Sequence, residues 1–173
     1  MEAASDRSAL PGGRWGRAIG LLAEWFALAG SAIFVSIAAM SVFSIIGRAL
    51  FDAPLSGDYE LVQTGSAIFV SLCLPLCQMR GANIIIDFFT AKASPASQRL
   101  LDAFGAFLLG SVMLLVTWRV VAGTFSMREA GETTTILGWP VWYTYAAMIP
   151  GVALTAVAGF YTAFAHAARA HRR

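Results

Sequence analysis

Charged side chains are sparse along this chain, and the intervals between them set its pattern. Trp25 to Gly47 is a run of 23 uncharged residues, and Leu61 to Met79 is a run of 19. Ala103 to Trp118 adds 16 more, with the apolar pattern resuming beyond Arg119 through Val120, Val121 and Phe125. Past Glu132 no Asp, Glu, Lys or Arg occurs until the basic C-terminus, and Val141 to Phe164 reads as one span. A hydrocarbon core about 30 Å thick requires roughly 20 helical residues. The pattern predicts an all-α integral membrane protein with four transmembrane helices, at about 22–47, 59–79, 98–125 and 140–164. The first run exceeds the roughly 7–15 residues of a signal-peptide core, so it is expected to remain as an anchor.

Residues at the ends of the runs fit helix boundaries. Asp58 and Glu60 fall in the first turn of the second helix, where the positive end of the helix dipole favours carboxylates. Ser94-Pro95 has the order of an N-cap and first helical residue for the third helix, and Pro140 is read as the first residue of the fourth. Trp139, Trp142, Tyr143 and Tyr145 would form an aromatic belt at one interface, with Trp15 and Trp25 at the other. Amphipathic interfacial helical segments are expected as well. Gly13–Gly20 carries Trp15 between Arg14 and Arg17 and suits a helix lying on the inner leaflet. If the second helix continues past Arg80, then Arg80, Asn83 and Asp87 share one face, opposite Ile84, Ile85, Phe88 and Phe89.

The basic residues orient the bundle. Nine of them (Arg7, Arg14, Arg17, Arg80, Lys92, Arg99, Arg169, Arg172, Arg173) fall on one side, and three (Arg48, Arg119, Arg128) on the other. By the positive-inside rule both termini are cytoplasmic, an N-in/C-in arrangement. The chain then divides into a basic cytoplasmic segment over 1–20, a four-helix membrane domain over 21–165 and a basic cytoplasmic tail over 166–173. Composition agrees, because 58% of the 173 residues are hydrophobic and only 13% charged, about half the charged share of a soluble domain. A net charge of +2 gives no footing for nucleic acid.

Catalytic and cofactor chemistry is poorly supplied. The histidines, His166 and His171, lie at or beyond the end of the last span, so a haem-binding bundle or a membrane Ser–His hydrolase lacks its groups. Cys73 and Cys77, spaced i and i+4 around Pro75, lack the further ligands of a tetrahedral zinc site and read as small buried packing residues. No catalytic, cofactor or metal site is expected. Pro75 should kink the second helix and free a carbonyl near Ser71. Glu24 and Arg119 are the charges closest to a span interior; both are read as interfacial, with snorkelling side chains, which leaves no solute pathway within the chain. Helix association is signalled more strongly. Ala147, Gly151, Thr155, Gly159 and Ala163 recur every four residues, a stripe that admits another helix backbone, whether internal or a partner's.

Several features fall in a recognisable order. Gly47-Arg48 ends the first span, and a Pro-Leu-Ser turn leads to Asp58 and Glu60. Arg80-Gly81, the run Ile84-Ile85-Ile86-Asp87-Phe88-Phe89, and Ser94-Pro95 ahead of Leu100, Leu101 and Asp102 follow. Leu137-Gly138-Trp139-Pro140, Trp142, Tyr143 and Pro150-Gly151 close the set. The ordered set resembles the small membrane subunit (DctQ type) of tripartite ATP-independent periplasmic (TRAP) transporters. The chain departs from the family where Tyr59-Glu60 replaces a frequent Glu pair and Asn83 a frequent His.

The resemblance implies a multi-pass subunit of the bacterial inner membrane. It would brace a large TRAP membrane subunit, which carries the substrate and sodium sites, while a periplasmic solute-binding protein delivers an organic acid or related solute. Gly151, Thr155, Gly159, Asp58, Glu60, Arg80 and Asp87 are the candidate partner contacts. The residues themselves leave two other readings open, an autonomous small transporter or channel and a membrane assembly factor unrelated to transport.

Overall fold

The computed structural model describes residues 14–51, 55–81 and 95–170. They form α1 (Arg14–Phe51), α2 (Asp58–Met79), α3 (Pro95–Ala130) and α4 (Trp142–Ala170). All four are long and apolar enough to cross a membrane, the architecture that the charge spacing predicts.

Two helix starts differ from expectation. α1 is continuous for 38 residues, roughly 57 Å at 1.5 Å per residue, so the stretch from Arg14 to Gly20 prolongs the first span instead of forming a separate segment. The reason lies in its buried residues. Gly16, Gly20, Ala23, Ala27 and Gly30 face inward, recurring at intervals of three and four, and this small-residue seam carries the helix straight through the basic segment. α2 ends at Met79, where the 59–79 span places it: the N–H of Arg80 donates to the Leu76 carbonyl at 3.0 Å and that of Gly81 to the Gln78 carbonyl at 3.2 Å. Gly81 has φ 64, the left-handed conformation that ends helices. The amphipathic face expected through Asn83 and Asp87 lies outside the described residues. Finally, α4 begins at Trp142 rather than at Pro140, because Pro140 pairs with Thr133 in an antiparallel bridge.

Side by side, the helices run in the order α1–α2–α4–α3, with a smaller contact between α1 and α4. The result is an open array in which α2 and α4 are central and α1 and α3 flank them. Enclosure follows that order: 44% of the apolar window of α4 is buried, against 11% of that of α1. Contact depends on small residues. Gly30 meets Leu72 and the Phe69 carbonyl, and Gly65 lies beneath Ile37. Phe34 stacks on Phe69 at 4.6 Å. Between α3 and α4, Gly110 and Gly159 meet backbone to backbone, so closely that a Cβ on Gly159 would lie 2.8 Å from the Gly110 Cα. Ala23, Met79 and Ala158 close the core where α1, α2 and α4 converge, with Ile19, Leu76, Leu154 and Tyr161 around them.

Candidate functional site

The α3–α4 connection folds as a small hairpin over the start of α2. The Thr134 N–H donates to the Trp139 carbonyl at 2.8 Å, the Gly138 N–H to Thr134 at 3.1 Å and the Val141 N–H to Glu132 at 3.0 Å. Gly138 adopts φ 66, which closes the turn without a Cβ clash. Glu60 fastens this hairpin to α2. One of its carboxylate oxygens accepts the Ile136 N–H at 2.8 Å and the other the Leu137 N–H at 3.0 Å. The Leu137 side chain rests on Gly57, whose φ of 85 and lack of a side chain leave that space open. Gly57 also serves as N-cap of α2 with no side-chain cap bond.

Asp58 ties α2 to α1. Ser44 donates its hydroxyl to one carboxylate oxygen at 2.7 Å, Tyr59 donates its N–H to the other at 2.7 Å, and the Arg48 guanidinium lies 3.7 Å away. Ser44 is buried, with 1% of its surface exposed. Both carboxylates lie in the first turn, as expected, but their bonds reach α1 and a loop more than seventy residues onward. Sequence spacing carries no sign of that second partnership. Around them stand exposed aromatics, Tyr59, Trp139 and Tyr143. Trp142 stacks on Tyr143 at 4.1 Å and lies beneath the Arg128 guanidinium at 5.5 Å.

Within the spans, the buried polar groups are paired locally. Thr155, 1% exposed, donates to the Gly151 carbonyl at 2.8 Å, and Ser71 to Ile68 at 2.8 Å. The Gln78 amide donates to the Thr162 hydroxyl at 3.0 Å, and this hydroxyl in turn bonds the carbonyls of Ala158 and Gly159. Pro75 is buried inside α2 and has no N–H for the Ser71 carbonyl four residues back. Gly151 lies directly against that carbonyl, so the proline-freed carbonyl and the glycine form one joint. Of the expected partner contacts, Gly151, Thr155 and Gly159 are therefore placed against the chain's own helices. Arg80 is exposed at the end of α2, and Asp87 lies outside the described residues. Cys73 packs near Gly30, whereas Cys77 is exposed instead of buried.

Arg119 departs most from its expected place. Gly123 contacts Tyr145, and Gly110 contacts Gly159, which fixes the register of α3 on α4. Arg119, four residues from Gly123 and nine from Gly110, is level with the stretch from Met148 to Gly151. Gly151 in turn meets Ser71, in the middle of the 22-residue α2. Arg119 is thus level with the middle of α2 and not with either of its ends, and it is exposed.

A profile described as tripartite ATP-independent periplasmic transporters, DctQ component, matches residues 37–169. The match takes in the end of α1, all of α2 and α3 and nearly all of α4. The chain belongs to the DctQ family. It is accordingly the small membrane component of a TRAP transporter, a multi-pass membrane protein within a family of transporter components. Searches of curated proteins and of solved structures give no match. In this DctQ component, the hairpin, its Glu60 clamp and the Asp58 tie lie together at one end of the bundle.

Proposed function

We propose that this DctQ component braces the large membrane subunit of its transporter in the bacterial inner membrane. Both termini face the cytoplasm, and the hairpin end faces the periplasm, towards the solute-binding protein. The large subunit carries the sodium and substrate sites and takes up an organic acid or a related solute. One observation supports this division of labour above others: the buried polar groups within the spans are satisfied inside the chain. Gln78 bonds Thr162 across α2 and α4, Thr155 and Ser71 bond their own helices, and no buried side-chain N or O among the described residues lacks a partner. A bracing element needs such a rigid interior, whereas a transport path needs polar groups facing water or solute.

The test is genetic and biochemical. Deleting this chain while keeping the large subunit and the binding protein should abolish uptake, and supplying it in trans should restore it. Tagged chain should copurify the large subunit from detergent. Unimpaired uptake in the deletion strain would refute the proposal.

A further inference from the structure

We propose that the exposed face of α3 around Arg119 is the docking surface for the large membrane subunit, and that Arg119 receives a carboxylate from one of that subunit's membrane helices. This rests on the reading of the chain as a bracing subunit. Charged side chains at membrane depth pair with another group, line water or turn inward to a bundle. Arg119 turns outward, and among the described residues it has neither ion pair nor hydrogen bond. Level with the middle of α2, it lies about 15 Å from either end of that helix, farther than an arginine side chain extends. Its Cα–Cβ bond tilts toward the N-terminal end of α3, and even extended that way the guanidinium stops several ångströms short of the end of α2.

The surroundings fit a protein partner. α3 is a flanking helix with α4 as its principal neighbour, and Leu108, Leu115 and Ala122 lie on the same exposed side as Arg119. A shallow apolar hollow beside it is lined by Leu114, Leu115 and Trp118, with Ser111 and Thr117 at its edge. The other flank is different. The exposed side of α1 presents Phe34, Val35, Val42 and Phe43, which lipid tails suit. Its one interior charge, Glu24, adjoins Ala23, which packs with Met79 at the end of α2.

Charge complementarity selects the occupant. A guanidinium pairs most strongly with a carboxylate, by two parallel hydrogen bonds. A second copy in the same membrane orientation does not supply one at this level, because among the described acidic residues Asp58, Glu60, Glu129 and Glu132 lie at the hairpin end, Glu24 adjoins Ala23 at the level of Met79, and Asp102 is near the start of α3. The acid must come from a different membrane chain.

The test uses the chain coexpressed with its large subunit. A photo-crosslinking amino acid at Leu115 should form an adduct with the large subunit on irradiation. Arg119→Leu and Arg119→Glu should lower copurified large subunit by about tenfold or more, and Arg119→Lys by less, the order expected for loss of a paired membrane charge. All three isolated variants should melt as the wild type does, since Arg119 has no described partner within the chain. Wild-type copurification by Arg119→Glu, or an adduct only with lipid or a second copy, would overturn the docking surface and leave the bracing function standing. Failure of the wild-type chain itself to bring down the large subunit would overturn both.

Discussion

Glu60 illustrates how one side chain in a first helical turn can answer to a distant part of the chain. Its two oxygens hold the amides of Ile136 and Leu137, so Glu60→Gln, with one acceptor oxygen, must release at least one of them. Amide exchange at these positions should quicken by roughly tenfold, the scale of losing a hydrogen bond to a charged acceptor, while α2 itself keeps its protection. Unchanged exchange would mean that the hairpin holds its shape without the carboxylate. The glycines make a stronger case. Gly151 faces the Ser71 backbone and Gly159 the Gly110 backbone, neither of which can move aside as a side chain would. Gly151→Leu and Gly159→Leu should each destabilise the isolated subunit by about 1–3 kcal/mol, read as a lower melting temperature in detergent. A double variant with the wild-type melting temperature would contradict these contacts. The four-residue stripe is plain in the sequence, but its target is not, because spacing along one helix says nothing about which helix lies opposite.

At the scale of elements, the joint between α2 and α4 combines a proline-freed carbonyl, a glycine and one interhelical hydrogen bond. The Gln78–Thr162 bond can be weighed by a double-mutant cycle with Gln78→Leu and Thr162→Val. Interhelical hydrogen bonds in membranes average about 0.6 kcal/mol, and a coupling of that size is expected from the melting of the four proteins. A coupling of zero would show that the bond is incidental to packing. Hydropathy made the helices readable, since apolar length is a property of the sequence alone. Their ends were less so. The start of α4 moved from Pro140 to Trp142 because a bridge to Thr133 claims the proline, a choice made by the hairpin and not by local propensity. Likewise, the seam of Gly16, Gly20, Ala23, Ala27 and Gly30 was visible as spacing, yet it was masked by the basic residues interleaved with it.

For the whole molecule, the row α1–α2–α4–α3 leaves two broad apolar faces and an exposed arginine on one flank. Distance along the chain suggests an interfacial place for Arg119, and only the register of α3 against α4 puts it level with the middle of α2. The proposed orientation can be checked separately: a periplasm-dependent reporter fused after Arg173 should be silent, and the same reporter inserted at Gly138, where the hairpin turns, should be active. The reverse pattern would invert the topology.

Reconstituted flux tests the central claim most directly. Liposomes carrying this chain alone, the large subunit alone, or both are supplied with binding protein, radiolabelled solute and an inward sodium gradient. Uptake is expected only when both membrane chains are present. Sodium-driven uptake by this chain alone, or equal uptake by the large subunit without it, would contradict the account.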